Sequence, residues 1–249
     1  GMTLSGTDSG VATTARFTQP SYLVLIPGTA DYYISDTGNH KIRKLTTASA
    51  TVEDFAGQGG NGLINGTAIT AKFDKPAGMA VTSTGNLFIA DTGNNVIRTI
   101  SVATMTVSTF AGNGVSLGKD GTGPAAQFNG PRNVAFSPLT SAILYVADTD
   151  SHAIRSAKVS TVEVTTFVGA LNAPGFVEGA GGLARLAKPC AIAFTVDGGS
   201  AFIADRDNHA VRKVDVALFD VKTYAGAAGS PTLGFQDGVG GSARFNGPQ

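Results

Sequence analysis

Apolar stretches of four to six residues recur along this chain at 22–26, 78–81, 133–136 and 191–194, each just after a proline. A turn follows each one, then a second run ending on aspartate, at 32–36, 87–91, 144–148 and 201–205. In the first unit a third run, 41–45, sets Ile42 between Lys41 and Arg43, and a fourth, 51–55, carries Val52 and Phe55 beside Glu53 and Asp54. Alternation with a period of two, rich in β-branched residues, predicts short strands, four per unit. No window of 11 residues spaces its apolar positions as a helix would, so helix content near nil is expected.

The units repeat in chemistry as well as in pattern. Asp36-Thr-Gly-Asn-His-Lys-Ile-Arg43 returns as Asp91-Thr-Gly-Asn-Asn-Val-Ile-Arg98, as Asp148-Thr-Asp-Ser-His-Ala-Ile-Arg155 and as Asp205-Arg-Asp-Asn-His-Ala-Val-Arg212. The leading aspartates are 55, 57 and 57 residues apart. Phe55-Ala-Gly57, Phe110-Ala-Gly112, Phe167-Val-Gly169 and Tyr224-Ala-Gly226 keep the same beat. A third anchor occurs five times, at 16–20, 72–76, 127–131, 185–189 and 244–248, as in Arg16-Phe-Thr-Gln-Pro20 and Arg244-Phe-Asn-Gly-Pro248. Self-similarity at this period, with four strands per unit, predicts an all-β fold of four-stranded antiparallel propeller blades. Solenoid coils are about 20–30 residues long, too short for this unit, and a sandwich has no reason to repeat its turn chemistry.

The aspartate and the arginine seven residues on occur together in every unit: Asp36 with Arg43, Asp91 with Arg98, Asp148 with Arg155, Asp205 with Arg212. An ion pair or a capped turn is the expected role, so these eight residues are read as structural anchors. Between units runs a glycine-rich connector, with Asp120-Gly-Thr-Gly123, Glu178-Gly-Ala-Gly181 and Asp237-Gly-Val-Gly240 in corresponding places. The phenylalanine ahead of each anchor proline, replaced once by Leu186, is expected to plug the space between neighbouring blades. Burying such a ring contributes about 1.5–3 kcal/mol.

The segments from Gly38-Asn39-His40 to Leu45, from Gly93-Asn94-Asn95 to Ile100 and from Asn208-His209 to Val214 resemble the NHL repeat. The long connector and the Arg-Phe-x-x-Pro anchor are similar to a variant of that repeat. Asn95 stands where the motif has histidine, Ser151 where it has asparagine, and Ala157 where a large apolar residue is usual. The resemblance implies six-bladed propellers that act as binding platforms, often within larger chains.

At this period six blades need about 340 residues, and the chain has 249. Residues 8–20 and 237–248 are equivalent half-connectors, so four complete units and the start of a fifth are expected. A fragment of a six-bladed ring is the simplest account. A closed four-bladed ring and an arc completed by a second chain are the alternatives, and exposed edges favour self-association. Gly1-Met2 reads as a cleavage remnant, which puts the natural start elsewhere.

Composition narrows the function classes. Eighteen basic residues balance eighteen acidic ones, which disfavours binding to nucleic acid by bulk charge. One cysteine excludes an internal disulfide. Neither a membrane span nor a signal-peptide pattern is visible. Sparse lysine and glutamate, and the acceptor triplet Asn65-Gly-Thr67, slightly favour an extracellular or cell-surface location.

Candidate chemistry is thin. His40, His152 and His209 share one repeat position, in the turn between second and third strands. Zinc held by histidines, as in propeller lyases that the resemblance brings in, would need them near the axis, so packing is the expected role. Cys190 opens an inner strand and reads as a small buried thiol. No nucleophile elbow, zinc-protease helix or phosphate loop occurs. The expectation is a non-catalytic platform for protein or peptide partners, without a cofactor. Arg132, Lys75 and Lys188 mark positions that the repeat does not fix. A metal-dependent lyase or hydrolase, or a carbohydrate or small-molecule module, is the alternative.

Overall fold

A computed structural model describes residues 5–11, 13–226 and 234–249; Gly1-Met2 lies outside them. Four similar antiparallel sheets follow one another along the chain. The first contains β1 (Gly10–Val11), β2 (Pro20–Leu25), β3 (Tyr32–Asp36), β4 (Lys41–Thr46) and β5 (Thr51–Ala56). The second contains β6 (Gly66–Thr67), β7 (Pro76–Val81), β8 (Leu87–Asp91), β9 (Val96–Ser101) and β10 (Thr106–Ala111). The third is β11 (Gly121–Thr122), β12 (Pro131–Ser137), β13 (Thr140–Asp148), β14 (Ala153–Lys158) and β15 (Glu163–Gly169). The fourth is β16 (Gly179–Ala180), β17 (Pro189–Phe194), β18 (Ser200–Asp205), β19 (Ala210–Asp215) and β20 (Asp220–Ala225).

Each sheet therefore has five strands, and the expectation of four is corrected. The fifth is a two-residue piece of the preceding connector, which pairs with the outermost strand: Gly10 opposes Val52 and Val11 opposes Thr51. Glycine-rich connectors lack the side-chain alternation that marks a strand, so nothing in the apolar pattern announces this pairing. Among the described residues the only helical elements are single 3-10 turns, as the absence of helical spacing predicts.

The inner strand of each sheet opens on the anchor proline, where a missing N–H is tolerated. Its register shifts within the next residues, between Pro20 and Tyr22 and between Pro189 and Ala191. The second-strand boundaries 32–36 and 87–91 agree with the sequence pattern, whereas β13 starts four residues earlier than expected.

The chain divides into two compact units, residues 1–110 and 111–249, with two of the four sheets in each. In the first, Phe73 is buried among Tyr33 and Ile42 of one sheet and Met79, Leu87, Ile89 and Ile100 of the next. In the second, Leu186 takes the equivalent place, among Tyr145, Ile154 and Val168 on one side and Ile192, Ile203 and Val214 on the other. Within each unit the anchor residue ahead of the proline is thus a plug between successive sheets. A second aromatic layer links strands of one sheet: Tyr33 with Phe55, Phe88 with Phe110, Tyr145 with Phe167 and Phe202 with Tyr224, with ring centroids 4.3–5.1 Å apart. That contact accounts for the repeated aromatic before Ala-Gly.

Candidate functional site

The recurring polar constellation starts at the end of each second strand. Asp36, Asp91, Asp148 and Asp205 each precede a single 3-10 turn, closed by a residue in the left-handed region. Those residues are His40, Asn95, His152 and His209, with φ between 53° and 61°. Asparagine and histidine are among the non-glycine side chains enriched there, which gives this motif position a backbone reason. The reversal brings the aspartate, the residue three on and the arginine seven on to one side.

The eight anchors are fully buried and paired. Arg Nη1 donates to Asp Oδ2 at 3.1 Å in the first repeat, 2.9 Å in the second, 2.8 Å in the third and 2.9 Å in the fourth. The other carboxylate oxygen accepts a connector N–H, from Thr18, Asp74, Asn129 or Ala187, at 2.7–2.8 Å. Asn39, Asn94 and Asn208 donate to the same carboxylates and reach back to carbonyls of Gly6, Gly62 and Gly175. Each guanidinium also donates to the connector: Arg98 to the carbonyls of Lys72 and Ile64 and to Asn65 Oδ1, all at 2.8–2.9 Å. In the third repeat Asp120 takes that last place, 2.6 Å from Arg155 Nη2. Each Asp–Arg pair is a clasp that holds one connector loop. Asp120 is engaged in that clasp.

Above each guanidinium lies a ring. Phe17, Phe73 and Phe128 fill this place in the first three repeats, with centroids 5.1–5.5 Å from the guanidinium carbon. In the fourth, where Leu186 replaces phenylalanine, Phe176 from the connector stacks on Arg212 at 4.5 Å. Sequence reasoning missed Phe176; the Leu186 departure was the available signal that another ring must compensate.

The histidines close the clasp from outside. Nδ1 of His40 accepts the N–H of Lys75, that of His152 the N–H of Lys188, and that of His209 the N–H of Gly247, at 3.0–3.1 Å. An accepting Nδ1 requires a neutral ring. Burial pushes the pKa of His152 down, in keeping with that state, with Asp150 opposing. The partner residue directly before the proline is itself left-handed, at φ 51° for Lys75 and Lys188 and 62° for Gly247.

Burial dominates the titration of Asp91, Asp148 and Asp205. It pushes Asp91 up to about 6, against the opposing pull of Asn94, the Asp74 N–H and Arg98. Asp148 is raised to about 6 by burial, with Arg155 opposing most strongly. Asp205 is raised for the same reason.

A different cluster occupies the turn end of the second unit. Lys188 Nζ lies 3.7 Å from Asp150 and 4.0 Å from Asp207, and Arg206 Nε is 2.8 Å from Asp207. Exposed Arg132 and half-buried Arg206 both pull down the pKa of the buried Cys190 thiol, which burial nevertheless raises. Other repeats carry Gly38 or Gly93 in place of Asp150, and Thr37, Thr92 or Thr149 in place of Arg206. The clasp does not require these charges. Among the described residues no group of three or more His, Cys, Asp or Glu is placed to hold a metal, and no helix is long and apolar enough to cross a membrane.

The NHL repeat model matches residues 73–98, which carry the Asp91–Arg98 clasp and its Phe73 ring. Over 79 residues the chain is 40% identical to Protein Suppressor of Quenching 1, chloroplastic, of Arabidopsis thaliana, covering 32% of this chain and 8% of that protein. Over 214 residues it is 26% identical to NHL repeat-containing protein 2 of Bos taurus, covering 77% and 29%. The chain therefore spans less than a third of the length of either relative. An auxiliary nutrient binding protein of Bacteroides thetaiotaomicron shares the fold with a TM-score of 0.62 and 16% identity, over 97% of this chain and 65% of that one. The repeated clasps, their sheets and these likenesses together relate the chain to the NHL-repeat, propeller-like proteins.

Proposed function

We propose that this chain is a non-catalytic platform for a protein or peptide partner, built from four complete blades of an NHL-type propeller of the long-connector kind and the start of a fifth. The eight Asp and Arg anchors are its structural frame. One observation carries the reading: the histidines and the repeated carboxylates, the groups best suited to acid–base or zinc chemistry, are committed to backbone N–H groups and to buried arginines. What the frame does not consume is the charged turn end, with Arg132, Asp150, Lys188, Arg206 and Asp207. Charges of both signs on a rigid rim favour specificity and fast encounter with a complementary peptide. Export to the cell surface belongs to the same proposal, and fractionation of the source cells tests it.

Selection from a displayed peptide library, followed by calorimetry of the selected peptide, tests the platform reading. We expect saturable binding that weakens about tenfold in the Arg132→Glu, Lys188→Glu double variant, as loss of complementary charge predicts, with melting unchanged. Zinc-dependent turnover of a lyase or hydrolase substrate would overturn it, as would binding indifferent to these charges.

A further inference from the structure

Asn65 stands where the other connectors carry Ser9, Asp120, Glu178 and Asp237. Its Oδ1 accepts from Arg98 Nη2 at 2.8 Å and from Thr109 Oγ1 at 3.3 Å. A guanidinium has donors only, so the carboxamide is oriented: Oδ1 faces the buried arginine and Nδ2 is turned away from it. Among the described residues Nδ2 has no protein acceptor, and Asn65 is exposed. A carboxylate makes the stronger partner for arginine, as Asp120 does for Arg155 at 2.6 Å. The clasp by itself therefore does not call for an amide at this position. Asn65-Gly66-Thr67 is also the one Asn-x-Ser/Thr triplet of the chain, with no proline inside it or directly after it.

We propose that Asn65 is the acceptor of a single N-linked glycan, added when the chain enters a secretory lumen. Export, as proposed above, is a condition of this step, because the donor, a lipid diphosphate-linked oligosaccharide, is presented in that lumen. Nδ2 forms a bond to the anomeric carbon of the donor and gives up one proton. The bond from that carbon to the diphosphate oxygen breaks, and the lipid diphosphate leaves with the electron pair. Three features suit the folded chain to the product. First, Oδ1 is retained, so Arg98 and Thr109 keep their acceptor and the clasp stays closed. Second, the sugar leaves from Nδ2, which no protein group holds. Third, Asn65 directly precedes β6, the outermost strand of the second sheet, at the opposite edge from the inner strand β7. A glycan there stands clear of the inner strand and lies beside the exposed Leu63, Ile64 and Ile69. A hydrophilic chain over an unpaired sheet edge also guards it against pairing with another molecule.

The parent chain, Asn65→Gln and Thr67→Ala are each expressed behind a cleavable secretory leader in cultured mammalian cells and recovered from both medium and cells. We expect one glycan per parent chain. It is read as an electrophoretic shift that peptide N-glycosidase removes, with Asn65 converted to the acid in the peptide mass spectrum. Both variants should lack the shift. Glutamine keeps an acceptor oxygen for Arg98, and Thr67→Ala removes only an exposed hydroxyl bonded to Thr70, so both should melt like the unglycosylated parent. The glycosylated parent should melt no lower than the same chain made without the glycan in bacterial cytosol. Parent chains unmodified at Asn65 in both pools would overturn the proposal, as would a shift that persists in both variants. A glycosylated chain melting well below the unglycosylated one would overturn the retained clasp, because Arg98 would then have lost its acceptor. Fractionation of the source cells decides export separately: natural protein confined to the cytosol would overturn the export reading alone, while the leader-borne chain still decides the acceptor.

Discussion

His209 Nδ1 accepts the backbone N–H of Gly247, 38 residues further on, at 3.0 Å. His40 and His152 do the same for Lys75 and Lys188. The position that lends the motif its histidine is a main-chain clip, and the ring can serve only while it is neutral. For His152, whose folded pKa is lowered, the unfolded chain takes up a proton first as pH falls. Its contribution is present above the ordinary histidine value and is lost as pH drops through the folded one. We expect the stability difference between the parent and His152→Asn to shrink from pH 7.5 to pH 5, measured by urea unfolding. Asparagine is the comparison because Asn95 holds this position in the second repeat.

Asp91 behaves with the opposite sign. Its folded pKa, about 6, lies above its ordinary value of 3.8, so between these limits the folded state holds the extra proton. Stability from this group is then greatest below the ordinary value and falls as pH rises toward the folded one, by at most about 1.4 kcal/mol per pH unit. Parent minus Asp91→Asn stability should decline from pH 4 to pH 6.5 in urea melts. A difference that rises over this interval would show that Arg98 outweighs burial.

Removing a clasp carboxylate outright is a harsher change. Asp91→Ala leaves Arg98 buried without its counter-charge and strips the Asp74 N–H and Asn94 of an acceptor. Such losses typically cost about 3–5 kcal/mol. Denaturant melts of the Asp36, Asp91, Asp148 and Asp205 alanine variants should all fall well below the parent. Four curves within about 0.5 kcal/mol of it, the range of plain surface changes, would remove the anchor role.

Phe176 offers a cleaner contrast. It stacks on Arg212 at 4.5 Å, whereas Leu63, its counterpart in the second repeat, is exposed and Phe73 supplies the ring there. Phe176→Ala should cost about 1–3 kcal/mol, and Leu63→Ala less than about 0.5 kcal/mol. Thermal unfolding of the two variants side by side decides it.

By itself, the sequence determined the repeat, the order of the four main strands within each unit and the recurrence of Asp36, Asp91, Asp148 and Asp205 with an arginine seven residues on, leaving an ion pair and a capped turn both open. These are local matters: a period of two reports a strand, and aspartate with asparagine reports a turn, whatever lies further along the chain. Only the tertiary structure decided that a connector adds a fifth strand, that Phe176 replaces the ring lost at Leu186, and what each histidine holds. Those contacts join residues some 35 positions apart, and most are made to main-chain carbonyls and N–H groups. Every residue type carries such groups alike, so no side-chain pattern can announce which of them a buried arginine or a neutral histidine will find.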